Sequence, residues 1–105
     1  MLSLVSAKSL EDYQVLDPDG ETLGHVDDVI LDAALDRARF LVVATARTVL
    51  GTHRERFAVP ASRFRLDTEN EALVANVTAE GLRSAPPLDA DAEPAGDGVY
   101  RVEEA

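Results

Sequence analysis

The chain has 105 residues, 20 of them acidic and 10 basic, with no cysteine and a formal net charge of −10. That length allows one domain with a tail. The lack of cysteine excludes disulfides and thiolate chemistry, and no run of about 18 apolar residues is present to cross a membrane as a helix.

A surface this negative repels phosphate backbones and anionic bilayers, so neither direct nucleic-acid contact nor membrane insertion is expected. Lys8 is the sole lysine, and the other basic residues are arginine. Acid excess with scarce lysine suits a high-salt cytoplasm, where screening removes self-repulsion; it also follows from a GC-rich genome. The opening Met1-Leu2-Ser3-Leu4-Val5-Ser6 lacks the basic end and long apolar stretch of a secretion signal, and a cytoplasmic location is expected.

Residues 1–7 read as a lead. From Lys8 the chain is polar, then β-prone from Tyr13 to Leu16. Asp17-Pro18-Asp19-Gly20 follows as a hairpin connection: proline presets φ, aspartate favours Asx turns, and glycine accepts positive φ. In Thr22 to Asp32 the apolar residues change parity around Asp27-Asp28. One extra residue restores a single buried face, so a β-bulge or sharp bend is expected there. Ala33 to Ala38 reads as a turn. Arg39-Phe40-Leu41-Val42-Val43-Ala44-Thr45 is the clearest strand, apolar enough to be buried on both sides.

Thr48 to Thr52 reads as a turn-like insertion, and Phe57-Ala58-Val59 as a short strand whose ladder ends at Pro60. Ala61 to Leu66 resumes with Phe64 and Leu66 on one face. A polar turn, Asp67 to Glu71, leads to a strand from Ala72 to Val77. Thr78 to Arg83 reads as a single helical turn capped by Thr78. Residues 89–105 form an acidic tail too polar to build a core. Within it, residues 99–102 are a β-prone island that could add to a sheet edge, and disorder is the competing reading. Six short strands between frequent turn signals argue for an all-β barrel or sandwich.

The ordered set of segments resembles the PRC-barrel domain family. Asp19-Gly20-Glu21-Thr22-Leu23-Gly24 and Val26-Asp27-Asp28-Val29-Ile30-Leu31-Asp32 are similar to its opening, and Phe40-Leu41-Val42-Val43 to its third strand. Val49-Leu50-Gly51 with Phe57-Ala58-Val59-Pro60, Leu73 to Val77, and Leu82-Arg83-Ser84-Ala85-Pro86 resemble its later segments. The resemblance covers residues 8–88. It implies a small six-stranded antiparallel β-barrel that docks proteins, with no catalytic residue and no cofactor to carry over. A non-enzymatic adaptor that self-associates as a homodimer is therefore expected. The alternatives are a ribosome- or RNA-processing-associated factor, by analogy with ribosome-maturation members of the family, or a small-ligand or metal-binding barrel.

Few residues suggest chemistry of their own. His25 and His53 are too far apart in sequence for a structural zinc set and read as solvent-facing, so no metal site is assigned. Asp17-Pro18-Asp19-Gly20-Glu21 lacks the glycine and glutamate spacing of an EF-hand loop and reads as a turn. Asp27, Asp28 and Asp32 could pair as acid and base. Without an accompanying nucleophile they read as local acceptors for backbone N–H groups or as partners of Arg37 or Arg39. Arg54, Arg56, Arg63 and Arg65 are the only basic concentration. They are the candidate docking face, against which stands a set of surface pairs with Glu55, Glu69 and Glu71.

Overall fold

The computed structural model describes residues 6–32, 34, 37–45, 55–88 and 98–102. In chain order it holds α1 (Ala7–Leu10), β1 (Gln14–Leu16), β2 (Thr22–Asp32), β3 (Arg37–Thr45), β4 (Arg56–Pro60), a 3-10 turn (Ala61–Arg63), β5 (Phe64–Asp67), β6 (Ala72–Ala75), α2 (Ala79–Arg83) and β7 (Tyr100–Val102). The strands form one sheet in the order β5-β6-β1-β2-β3-β4-β7.

The all-β class is as expected, but the sheet differs in three ways from a six-stranded, closed, antiparallel barrel. Among the described residues it has seven strands, and the outer strands β5 and β7 do not pair with each other. The β1–β6 contact is parallel, with Val15 opposite Leu73. The added strand is β7, from the segment read as part of a flexible tail. Its backbone groups find partners on both sides, which polarity alone did not foretell.

Burial follows strand parity around a bulge. Val26 lies opposite Val43 and Asp28 opposite Val42, so Asp27 is the extra residue. The bulge returns Val29 to the side of Val26, as the parity change predicts. The core cluster gathers Val15, Leu23, Val26, Leu41, Val43, Phe57, Val59, Leu73, Ala75 and Val77, closed at one end by Leu82 and Ala85. Leu82 arrives on α2, whose N-cap Thr78 accepts from the Gly81 N–H at 3.0 Å. The α1 turn was not foreseen. Ser6 caps it by accepting from the Ser9 N–H at 3.1 Å, and Leu10 packs against the core.

Turn chemistry matches residue type. Asp17 Oδ1 accepts from the N–H groups of Asp19 and Glu21, each at 2.9 Å, and Gly20 takes φ +87°. At Asp67 the Asn70 side-chain amide donates at 2.8 Å and the Asn70 N–H at 3.2 Å. These bonds, the side-chain one foremost, hold the Asp67 carboxyl below its ordinary pKa. A depressed folded value adds stability above the unfolded pKa, and that stability is lost as pH falls through the folded value. An NMR titration should therefore place the Asp67 midpoint below the ordinary aspartate value, and Asn70→Ala should raise it.

Gly24 is fixed by close approach. It lies opposite Thr45, and a Cβ there would sit on the Ala44 carbonyl oxygen. The obstacle is backbone and cannot swing away. Gly24→Ala is expected to cost about 3 kcal/mol, read as a melting point lower by roughly 10–20 °C.

Candidate docking site

The strand β3 is buried on both faces. Leu41 and Val43 belong to the core cluster, whereas Phe40, Val42 and Ala44 face the other way and are also buried. Ala58 on β4, directly opposite Val42, joins this second apolar face.

Three groups lie against it. The Arg39 guanidinium carbon stands 5.5 Å from the centre of the Phe40 ring, and the same side chain pairs with Asp32 at 3.7 Å. The Tyr100 ring meets Phe40 edge-on, with centroids 6.3 Å apart and planes at 85°. Arg56, directly opposite Ala44, reaches Asp27 with Nε to Oδ2 at 2.8 Å. This last contact is an ion pair and not an aligned hydrogen bond, because the Nε–H does not point at the carboxylate. It spans from β2 to β4, so it must pass over β3. The bulge makes that reach available to Asp27, since the extra residue leaves the ladder.

The edge of β4 is occupied by β7, with Arg56 opposite Val102, Phe57 opposite Arg101 and Ala58 opposite Tyr100. The far side of β7 is held as well. Arg101 N–H donates to Pro86 O, and Leu88 N–H donates to Arg101 O, both at 2.7 Å. The strand thus lies in a slot between β4 and residues 86–88. Beside the slot opens a cleft of about 570 Å³, walled by Val77, Ala85 and Pro86 on one side and by Gly98, Val99 and Tyr100 on the other.

The candidate arginines occupy separate elements. Arg56 is engaged by Asp27. Arg63 follows β4 in the 3-10 turn, donates from Nη1 to Asn76 O at 3.0 Å, and lines the cleft. Arg65 is exposed on the outer strand β5, opposite Val74. Arg54 and His53 lie outside the described residues, as does the 48–52 insertion. His25 stands mid-strand between Gln14 and Ala44. Asp28 and Asp32 act as local acceptors, unlike Asp27: Asp28 Oδ1 accepts from the Val29 N–H at 2.8 Å, and Asp32 Oδ1 from the Ala34 N–H at 3.0 Å. Among the described residues, no three His, Asp or Glu side chains converge as a metal site would need.

Sequence reasoning missed the Asp27–Arg56 pair; it offered residues 99–102 as a possible addition to a sheet edge but not β4 and Pro86–Leu88 as their neighbours. Parity located the bulge but not where its extra side chain points. The Val99-Tyr100-Arg101-Val102 alternation was the available signal for the slot.

These features define a class: a small open β-sheet domain carrying an extra C-terminal strand, with no buried polar or charged side chain among the described residues. The PRC-barrel domain family matches residues 3–82, and the chain belongs to that family. No curated protein matches the sequence. The match stops short of Pro86–Leu88 and of β7, so the slot is built on one side from outside the matched region.

The Asp27 and Arg56 side chains are 40 % and 25 % exposed, so solvent screens the pair. Asp27→Asn is expected to cost only about 0.5–1 kcal/mol, less at high salt. If the Arg56 stem serves mainly as apolar cover, Arg56→Met will be better tolerated than Arg56→Ala. Thermal melts of the three variants at low and high salt check both statements.

Proposed function

We propose that this chain is a non-catalytic docking module that binds protein partners through its sheet, one of them a second copy of itself, and that it works in the cytoplasm. The observation that carries this reading is the open sheet. An outer strand presents unpaired N–H and C=O groups in a row, and such a row is completed by pairing with another chain. Here β5 is one outer strand, four residues long, with no neighbour beyond it among the described residues. Membership of the PRC-barrel family supports a docking role. A net charge of −10 favours cationic protein surfaces over nucleic acid. No helix among the described residues is long and apolar enough to cross a membrane.

The arginines enter this reading as secondary contacts. In this reading Arg65, exposed on the outer strand, contacts acidic groups of a partner. Light scattering at micromolar concentration is expected to give twice the 11.3 kDa chain mass. A monomer under those conditions removes self-association. Retardation of RNA in a low-salt gel shift would turn the reading toward an RNA-associated factor.

A further inference from the structure

The two ends of the sheet are not alike. At one end β7 is held on its far side by Pro86 and Leu88. At the other, no described residue pairs with the outer side of β5. The ladder to β6 fixes which backbone groups point that way. Arg63 O accepts from the Asn76 N–H, which makes this opposed pair a hydrogen-bonded one. Antiparallel pairs alternate, so Arg65 and Asp67 also turn their backbone groups to β6. Phe64 and Leu66 turn theirs outward. The Phe64 N–H already donates to Ala61 O. Among the residues of β5, Leu66 is thus the one that offers both an N–H and a C=O to a further strand.

Two copies that pair edge to edge about a two-fold axis run antiparallel, and so short a strand allows few registers. An axis at Phe64 opposes that residue to itself and asks for an N–H already in use. An axis at Arg65 opposes Phe64 to Leu66, asks for the same N–H, and sets two arginines directly opposite, which is repulsive. An axis at Asp67 sets two carboxylates opposite. With the axis at Leu66, each Leu66 exchanges both bonds with its counterpart, and each Arg65 stands opposite Asp67 of the other copy. These two charge pairs fall at non-hydrogen-bonded positions, where side chains approach most closely. Arg65 is exposed. The Asp67 carboxylate accepts from Asn70, and a carboxylate has room for further donors. On the opposite face, Leu66 is half-buried against the core cluster, so its counterpart extends the apolar cover across the axis.

We propose that the second copy docks with β5 against β5 about a two-fold axis at Leu66, joining the two sheets into one, and that reciprocal Arg65–Asp67 pairs set the register. This rests on the self-association proposed above and adds the strand, the register and the residues that select it.

Charge exchange tests the register in the full chain. In Arg65→Asp, carboxylates oppose carboxylates at both pairs; in Asp67→Arg, guanidinium groups oppose guanidinium groups. At low salt each variant alone is expected to have a dimer dissociation constant roughly tenfold to hundredfold above that of the parent, read by sedimentation equilibrium. An equimolar mixture of the two variants sets every acid opposite a base and should regain the dimer mass. Asp67→Arg also removes the acceptor that Asn70 uses in its turn, so cysteine variants supply an independent measurement. The chain has no cysteine of its own. Leu66→Cys, oxidised with diamide, should run as a covalent dimer on a non-reducing gel, because directly opposed hydrogen-bonded residues have Cα atoms about 5.5 Å apart. Arg65→Cys should not, because its counterpart lies on a diagonal at about 7–8 Å.

A covalent dimer from Arg65→Cys with none from Leu66→Cys overturns the register. So do charge variants as dimeric as the parent, or a mixture that regains nothing. Each of these results leaves the parent dimer standing, so loss of this proposal is distinguishable from loss of the self-association it rests on. A parent chain that sediments as a monomer removes both.

Discussion

Burial of β3 on both faces is the constraint from which the rest of the structure follows. Phe40 through Ala44 are five consecutive apolar residues, all out of solvent. Alternation sends Leu41 and Val43 into the main core and Phe40, Val42 and Ala44 to the opposite face. A sheet wet on one side would leave the second set exposed. The protein meets this second face with side chains that are themselves amphipathic. Arg39 stacks on Phe40, Tyr100 abuts the same ring, and Arg56 lies beside Ala44 with its charge answered by Asp27. Each presents carbon to the sheet and a polar end to water.

The bulge at Asp27 serves both faces at once. On the core side it brings Val26 and Val29 into line opposite Val43 and Leu41. On the other side it frees an acidic side chain to reach across β3 to Arg56. A regular strand could not do both, because the parity that suits Val26 would put Val29 on the wrong face. Gly24 complements this arrangement. It lets β2 approach the β3 backbone at Ala44 with no side chain between them, which keeps the sheet tight at the end nearest Thr45.

The C-terminal strand completes the cover of the second face. Tyr100 belongs to the cover of the second face, and its three-residue strand lies half-buried between β4 and residues 86–88. The same residues therefore complete the sheet beyond β4.

Local pattern alone determined much of this protein. The Asp17–Gly20 turn, the parity change at Asp27-Asp28, the doubly buried run at 40–44, the Thr78 cap and the family resemblance are all written in neighbouring residues, and each reappears in the structure. Period-two alternation and turn chemistry act over a few residues, so a linear reading can find them. Tertiary structure decided which strands are neighbours: β1 beside β6 in parallel, an open sheet instead of a closed one, Asp27 over β3 onto Arg56, and residues 100–102 seated between β4 and Pro86–Leu88. These are meetings of segments distant in the chain. They are settled by which backbone groups and apolar faces still lack partners once the local elements have formed, and no single stretch of sequence carries that information.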